Sequence, residues 1–326
     1  MIAIDDGDES GSARASSPPL YIIFNRGSGG EDSEKRERIM REVLTRAERP
    51  HALFVTGDPR ELEALAHRAI DLAQRNRGAI VVAGGDGTIN AIANRVLPHR
   101  LPFGILAQGT FNFTGRCHGI PENTQRAVEA LLEAGIKPIQ VGMLNGRAFL
   151  VNASLGLYPQ LLHDREGFKQ RLGRRRAVAI VSGVVSLLRH YRELALHVDS
   201  DGERRQLHTA TLVVVNNRLQ LEKIGIDRAA ALESGELIAI VIEPRNAAAL
   251  FWLALRGMTG SLGEAGGESD FAFRKMEVRP RGAFRRRHIL VALDGELIRM
   301  RFPLRFSVAP EALRLMVPAD ARRERA

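Results

Sequence analysis

This sequence predicts an α/β layer followed by a mostly antiparallel β half, and three observations carry that prediction. From Leu20 to about residue 148, short apolar runs alternate with capped amphipathic stretches, the pattern of a parallel sheet wrapped by helices. Beyond Leu150 the texture becomes period-two alternation broken by turn residues, the mark of half-buried strands. A chain of 326 residues suits two domains of roughly 150 residues better than a single core.

Taken in order, residues 1–19 are acidic, then Ser-rich, and end on Pro18-Pro19, so they read as a disordered tail. Strands are expected at Leu20 to Phe24, Ala52 to Val55, Ala79 to Ala83 and Phe103 to Leu106. Asp58, Pro59 and Glu61 stand as N-cap, N1 and N3 of a helix with Leu62, Leu65, Ala66, Ala69 and Ala73 on one face. Thr88 is the expected cap of a second helix, over Ile89, Ile92, Ala93 and Val96. Thr124 is the expected cap of a third, with Ala127, Val128, Leu131 and Leu132 inward and Gly135 at its stop. In the second half, strands are expected at Leu194 to Val198, Leu212 to Val215, Leu237 to Ile242, Phe271 to Val278, His288 to Leu293 and Leu297 to Val308. A helical stripe of Val178, Val181, Val184, Val185 and Leu188 lies between the halves. The expected division is an α/β domain at 20–148, a β domain at 149–318 and a short tail at 319–326.

Hydrophobic residues at 44% and charged residues at 26% exclude wholesale disorder. No apolar run approaches the roughly 20 residues of a bilayer-spanning helix, and no secretory segment opens the chain. Cys117 is the single cysteine, which excludes an internal disulfide and a Cys-rich metal site and makes the cytoplasm the expected compartment. A balance of 47 basic to 38 acidic residues, net +9, calls for an anionic partner: nucleic acid, a phosphorylated small molecule or an anionic membrane face. Aromatics at 5% argue against a base-stacking surface.

The strongest chemical signal is Gly84-Gly85-Asp86-Gly87-Thr88, where a buried strand runs into a glycine turn and a helix. Backbone N–H groups in such a turn can approach a phosphate closely, and the helix N-terminus adds favourable partial charge. The competing structural reading is a tight turn whose glycines merely supply positive φ. There is no Walker A Gly-Lys-Ser/Thr and no third glycine of a dinucleotide fingerprint. Two further glycine turns, Asn25-Arg26-Gly27-Ser28-Gly29-Gly30 and Gly109-Thr110-Phe111-Asn112, fall at neighbouring strand ends, where open α/β sheets bind ligands. Asp294-Gly295-Glu296 follows a late apolar strand and reads as a turn that sets two carboxylates at a strand end; a hairpin with solvated acids is the alternative. The basic run Lys169 to Arg176 could dock on anionic headgroups or form a solvated loop.

These four motifs, with His118-Gly119-Ile120-Pro121, Asn152 to Pro159 and Val215-Asn216-Asn217-Arg218, resemble in order and spacing the soluble diacylglycerol kinase catalytic family, bacterial lipid kinases akin to sphingosine and ceramide kinases. The resemblance runs from about Leu20 to Pro318. It implies an N-terminal domain like that of NAD kinase and phosphofructokinase, a C-terminal β-sandwich, and ATP in the cleft between them. It implies ATP binding by Asn25, Arg26, Gly27, Ser28, Gly29, Gly84, Gly85, Gly87, Thr88, Gly109, Thr110 and Asn112. Asp86, Asp294 and Glu296 become the candidates for base and charge partner in a Mg2+-dependent transfer to a lipid hydroxyl. Arg174, Arg175 and Arg176 become the approach to a peripheral membrane substrate, with no nucleic acid involved. The sequence departs from the family pattern at Ala91 (usually glutamate), Ala107 (proline), Phe113 (aspartate) and Ser234 (a metal-binding aspartate). An NAD-kinase-like soluble-substrate kinase and a non-catalytic nucleotide- or lipid-binding homologue are the alternatives.

Overall fold

The structure, a computed structural model, describes residues 17–27, 32–157, 159, 193–242, 268–281 and 288–319. The first sheet is built from β1 (Leu20–Asn25), β2 (His51–Thr56), β3 (Ala79–Gly84) and β4 (Phe103–Ala107), parallel and in spatial order β2-β1-β3-β4. β1, β3 and β4 are near-continuous apolar runs because both faces are covered. One face packs Tyr21, Ile23, Ile80, Val82, Phe103 and Ile105 under α2 (Leu62–Arg75) and α3 (Asp86–Val96). The other packs Leu20, Ile22, Phe24, Val81 and Leu106 under α1 (Ser33–Arg46) and α5 (Thr124–Leu132). α4 (Phe113–Cys117) is a short helix after β4.

Each expected strand of this half is present, longer by one or two residues at its ends. The helix starts differ. α3 begins at Asp86 with Gly85 in the N-cap position, so Thr88 lies inside the first turn, not before it. Asp58 closes a preceding turn by accepting from the Arg60 amide at 2.9 Å, and α2 starts only after Glu61. Asn123, not Thr124, caps α5, accepting from Arg126 N at 3.1 Å. Gly135 opens β5 (Gly135–Ile139), which pairs antiparallel with β18 (Leu313–Val317); β18 in turn lies beside β4. Residues 313–317 therefore complete the first sheet, as β4-β18-β5.

The second half is a sandwich of two six-stranded antiparallel sheets. One holds β6 (Gly142–Leu144), β7 (Arg147–Phe149), β9 (Leu194–Ser200), β10 (Glu203–Thr209), β14 (Lys275–Pro280) and β17 (Leu304–Val308) in order β10-β9-β14-β17-β6-β7. The other holds β8 (Asn152–Gly156), β11 (Thr211–Val215), β12 (Leu237–Ile242), β13 (Glu268–Phe273), β15 (His288–Leu293) and β16 (Glu296–Arg301) in order β13-β12-β11-β8-β15-β16. Leu144, Val198, Val278 and Phe306 of the first meet Leu155, Val214, Ala239 and Val291 of the second in one core. The runs expected at Phe271 to Val278 and Leu297 to Val308 each divide into two strands, at Arg274 and at 302–303. Two short helices, α6 (Arg218–Lys223) and α7 (Ala229–Glu233), cover the outer face near Val215 and Ile238. The stripe at 177–192, Arg174 to Arg176, and Ser28 and Gly29 lie outside the described residues. Among the described residues no helix is long and apolar enough to cross a membrane.

Candidate active site

Three strand ends meet at the carboxyl edge of the first sheet. Asn25, ending β1, donates from Nδ2 to the Thr88 hydroxyl at 2.9 Å and accepts from Gly27 N at 3.0 Å, tying the first turn to the first turn of α3. Arg26 is engaged with Glu37 of α1 at 2.6 Å. Thr56, ending β2 beside Arg26, is buried and donates to Glu61; it had no motif to mark it.

None of Gly84, Gly85, Gly87 or Gly109 is among the positive-φ residues, so the reading of these turns as positive-φ devices is not what the structure shows. Packing explains two of them. A Cβ on Gly84 would meet Thr88 Cβ at 2.9 Å, and one on Gly109 would meet the Gly85 Cα at 2.9 Å. At Gly85 and Gly87 a Cβ would make only ordinary contacts, the nearest at 3.5 Å, and Gly87's nearest is Glu296 Oε1 from the other domain. No side chain caps the first turn of α3, so the fold leaves bare backbone facing the gap at these two positions.

Asp86 binds the third turn to the second. Its carboxylate accepts from Phe113 N at 3.3 Å and Thr114 N at 3.4 Å, while Asn112, at φ 50°, accepts from Gly109 N at 2.7 Å. Desolvation raises the Asp86 pKa, opposed by amides of α4 and Asn112. Thr110 is exposed. Phe111, 57% exposed, stacks on Phe113 at 5.7 Å, and Lys223 of α6 sits 4.7 Å above the Phe113 ring. Where the family pattern has an acid, this chain thus places an apolar ring under a lysine. Ala107 packs against Gly115, and the Ser234 hydroxyl donates to the Ala230 carbonyl at 2.9 Å.

Across the gap lies the β15–β16 turn. Asp294 Oδ2 accepts from Leu150 N at 2.6 Å, and Oδ1 accepts from Val151 N at 2.9 Å and Asn152 N at 2.8 Å. These amides belong to the segment joining β7 to β8. As a residue Asp294 is only half-buried by surface, but protein surrounds its carboxylate, and this desolvation pushes its pKa up to about 7 against the three amides, with a further rise from Asp86. Glu296 bonds no amide; it faces Gly87, and desolvation raises its pKa against the lowering fields of Arg147 and Arg95. Nearby, Asn94 of α3 donates to Ala148 O at 2.9 Å and accepts from Ala148 N at 2.7 Å, clamping α3 to β7. The structure therefore brings Asn25, Gly84 to Thr88, Gly109 to Asn112, Asp294 and Glu296 together, and turns Arg26 toward α1.

A parallel sheet with a bare helix N-terminus at its carboxyl edge, faced by acids from a β-sandwich, is a build that suits phosphoryl transfer. Residues 19–144 match the diacylglycerol kinase catalytic domain and residues 168–317 the YegS C-terminal NAD kinase beta sandwich-like domain. The chain belongs to the diacylglycerol kinase family of lipid kinases. It is 27% identical over 251 residues to the diacylglycerol kinase of Bacillus subtilis (strain 168), covering 73% of this chain and 78% of that one. It is 26% identical over 247 residues to that of Staphylococcus carnosus (strain TM300), covering 72% and 77%. A crystal structure of a diacylglycerol kinase from Bacillus anthracis strain Sterne superposes with a TM-score of 0.65 at 16% identity, covering 93% of this chain and 98% of that one, which bears out the fold.

Proposed function

We propose that this chain transfers the γ-phosphate of ATP to the hydroxyl of a diacylglycerol-like lipid, with Mg2+ as cofactor. The unit built on the first sheet, residues 20–139 with β18, holds the nucleotide and the sandwich, from β6 to β17, holds the lipid; β6 and β7 lie in the sandwich, so the division falls before residue 142 and not at 148. The carrying observation is Glu296 Oε1 facing the bare backbone of Gly87, 3.5 Å from where a Cβ would sit. ATP phosphates lie over Gly84 to Thr88, flanked by Asn25, Gly27 and the Gly109 to Asn112 turn. Glu296, the one acid of the three with no amide bond, takes the proton of the acceptor hydroxyl; desolvation raises its pKa, the direction that makes a carboxylate a stronger base. Asp294 is a positioning residue: it fixes the 150–152 segment and with it the turn that carries Glu296.

Among the described residues no three His, Cys, Asp or Glu side chains cluster to cage a metal. Mg2+ does not require one, since it keeps several waters and binds one or two carboxylates together with substrate phosphates. Asp86 fits that part: its contacts with the Phe113 and Thr114 amides are long, at 3.3 and 3.4 Å, and a carboxylate has about four lone-pair sites to share between amides and an ion. Bound there, the ion would offset the charge of the transferring phosphoryl group. Arg174, Arg175 and Arg176 are the proposed approach to an anionic membrane from the cytoplasmic side.

The test is incorporation of radiolabelled γ-phosphate from ATP into diacylglycerol, monoacylglycerol, sphingosine, ceramide and phosphatidylglycerol in mixed micelles, with and without Mg2+. Diacylglycerol should be labelled, and Glu296→Gln should lower turnover at least tenfold with nucleotide affinity unchanged, the pattern of a group acting mainly in the transition state. Failure to label any lipid would overturn the reading; near wild-type turnover in Glu296→Gln would remove its base.

A further inference from the structure

Helix α1 presses Met40, Val43 and Leu44 onto the sheet. Arg36 lies four residues before Met40 and seven before Val43, so it begins the same stripe. At that position the helix has reached the carboxyl edge of the strands, and a core-facing stripe would ordinarily end there on an apolar residue. Instead a half-buried arginine stands over the edge. Its Nη1 makes a long contact, 3.5 Å, with the main-chain carbonyl of Gln108, one residue before Gly109. Among the described residues it has no carboxylate within ion-pair distance, although twelve other arginines do.

Gln108 supplies a second, independent observation. Its main-chain N–H is satisfied by Gly84 O at 2.8 Å, yet the residue is only 5% exposed and, among the described residues, neither side-chain amide atom has a hydrogen-bond partner. A buried amide unpaired at both ends is rare and costly. It stands at the strand end between the Gly84 and Gly109 turns, the same edge over which Arg36 reaches. A guanidinium lacking its acid and an amide lacking both partners thus share one spot beside the cradle. A phosphate oxygen would accept from the guanidinium and from Gln108 Nε2, while Gln108 Oε1 would need a donor such as the guanidinium itself; guanidinium forks match phosphate geometry, and charge-assisted bonds to it are the strong kind.

We propose that Arg36, with Gln108 beneath it, anchors the terminal phosphates of the nucleotide from the α1 side of the sheet, opposite the N-terminus of α3. This deepens the ATP reading given above and rests on it. The phosphoryl group would then be held from both faces, with α1 as a second wall of the cradle.

Calorimetric affinities for ATP, ADP, adenosine and inorganic phosphate should be measured for the wild type and for Arg36→Gln, Arg36→Lys and Gln108→Leu, with melting temperature as the control for folding and sedimentation with phosphatidylglycerol vesicles as a further arm. Arg36→Gln should weaken ATP and ADP about tenfold or more, the scale of a lost charge-assisted bond, and leave adenosine unchanged. Arg36→Lys should restore part of the loss, since a point charge replaces the fork, and Gln108→Leu should show a smaller loss of the same kind. Unchanged ATP affinity in Arg36→Gln, an equal loss for adenosine, or a loss confined to vesicle binding would each overturn the assignment. A wild type that binds no nucleotide would remove the proposed function and this inference with it, an outcome distinct from a wild type that binds ATP through other residues.

Discussion

In the turn at residues 84–88 the backbone is ordinary and the side chains are missing; in the turn at 294–296 the backbone is unusual and a side chain does the holding. The first has no residue at positive φ, and two of its glycines meet nothing that would forbid a Cβ. The second has Asp294 at φ 46° and Gly295 at 89° between the paired Leu293 and Glu296, the geometry of a tight two-residue hairpin, and Asp294 gathers three amides of a distant segment. The two turns face one another, yet one leaves backbone bare at Gly85 and Gly87 and the other fills its surroundings with its own carboxylate. Short motifs of similar appearance in a sequence can therefore be built on opposite principles, bare backbone in one and a gathering side chain in the other.

That contrast can be broken most forcefully at Asp294. Asp294→Ala would leave the amides of Leu150, Val151 and Asn152 unpaired, and at about 1–3 kcal/mol for each unsatisfied buried group the loss should amount to several kcal/mol, read as a large fall in the midpoint of chemical denaturation. A variant as stable as wild type would mean that water replaces the carboxylate and that the turn is not held from within.

Gly87→Val probes the other side. It should cost about a hundredfold in ATP affinity, by blocking backbone approach to phosphate, while the melting temperature of the nucleotide-free protein stays close to wild type. A strong loss of stability at unchanged affinity would make this turn a folding device like its counterpart.

The smallest effect is in the pH dependence. Asp294 has its folded pKa raised to about 7, above its unfolded value, so its contribution is fully present below the ordinary carboxylate range and is lost as pH rises through about 7. Glu37 is oppositely placed: against its own desolvation, Arg26 and Arg41 hold it below the usual range, and its contribution is lost only as pH falls. Between about pH 4 and 7, the interval from the ordinary to the raised value of Asp294, melting temperature at constant ionic strength should decline, and the decline should flatten in Asp294→Asn. A profile equally steep in that variant would assign the titration elsewhere.

Much of this architecture was legible in the residues because the deciding forces were local. Apolar runs covered on both faces gave the strands of the first sheet, and the glycine turns marked their carboxyl ends. Helix starts were misplaced by one to three residues, at Thr88, Asp58 and Thr124, because a neighbouring residue or bare backbone took the cap position. The place of residues 313–317 was not legible, since a short apolar strand can join any sheet and only the packing of Leu313 and Leu315 with Phe103 and Ile139 chooses. The partners of Asp294 lie more than a hundred and forty residues away, and no spacing rule encodes such a bond. Arg36 and Gln108 carry no motif for a related reason: what singles them out is a partner missing among the described residues, a property of the folded arrangement and not of the sequence.

The insertion of β18 between β4 and β5 also bears on how the molecule is made. During synthesis the first sheet emerges early but keeps an open slot, with β4 on one side and β5 on the other, until the whole sandwich has left the ribosome and residues 313–317 can fill it. A truncated or stalled chain would expose unpaired strand edges, the surfaces on which nascent chains aggregate. Once filled, the slot joins the halves by two covalent crossings in place of one, so the sandwich is strapped to the first sheet at both of its ends.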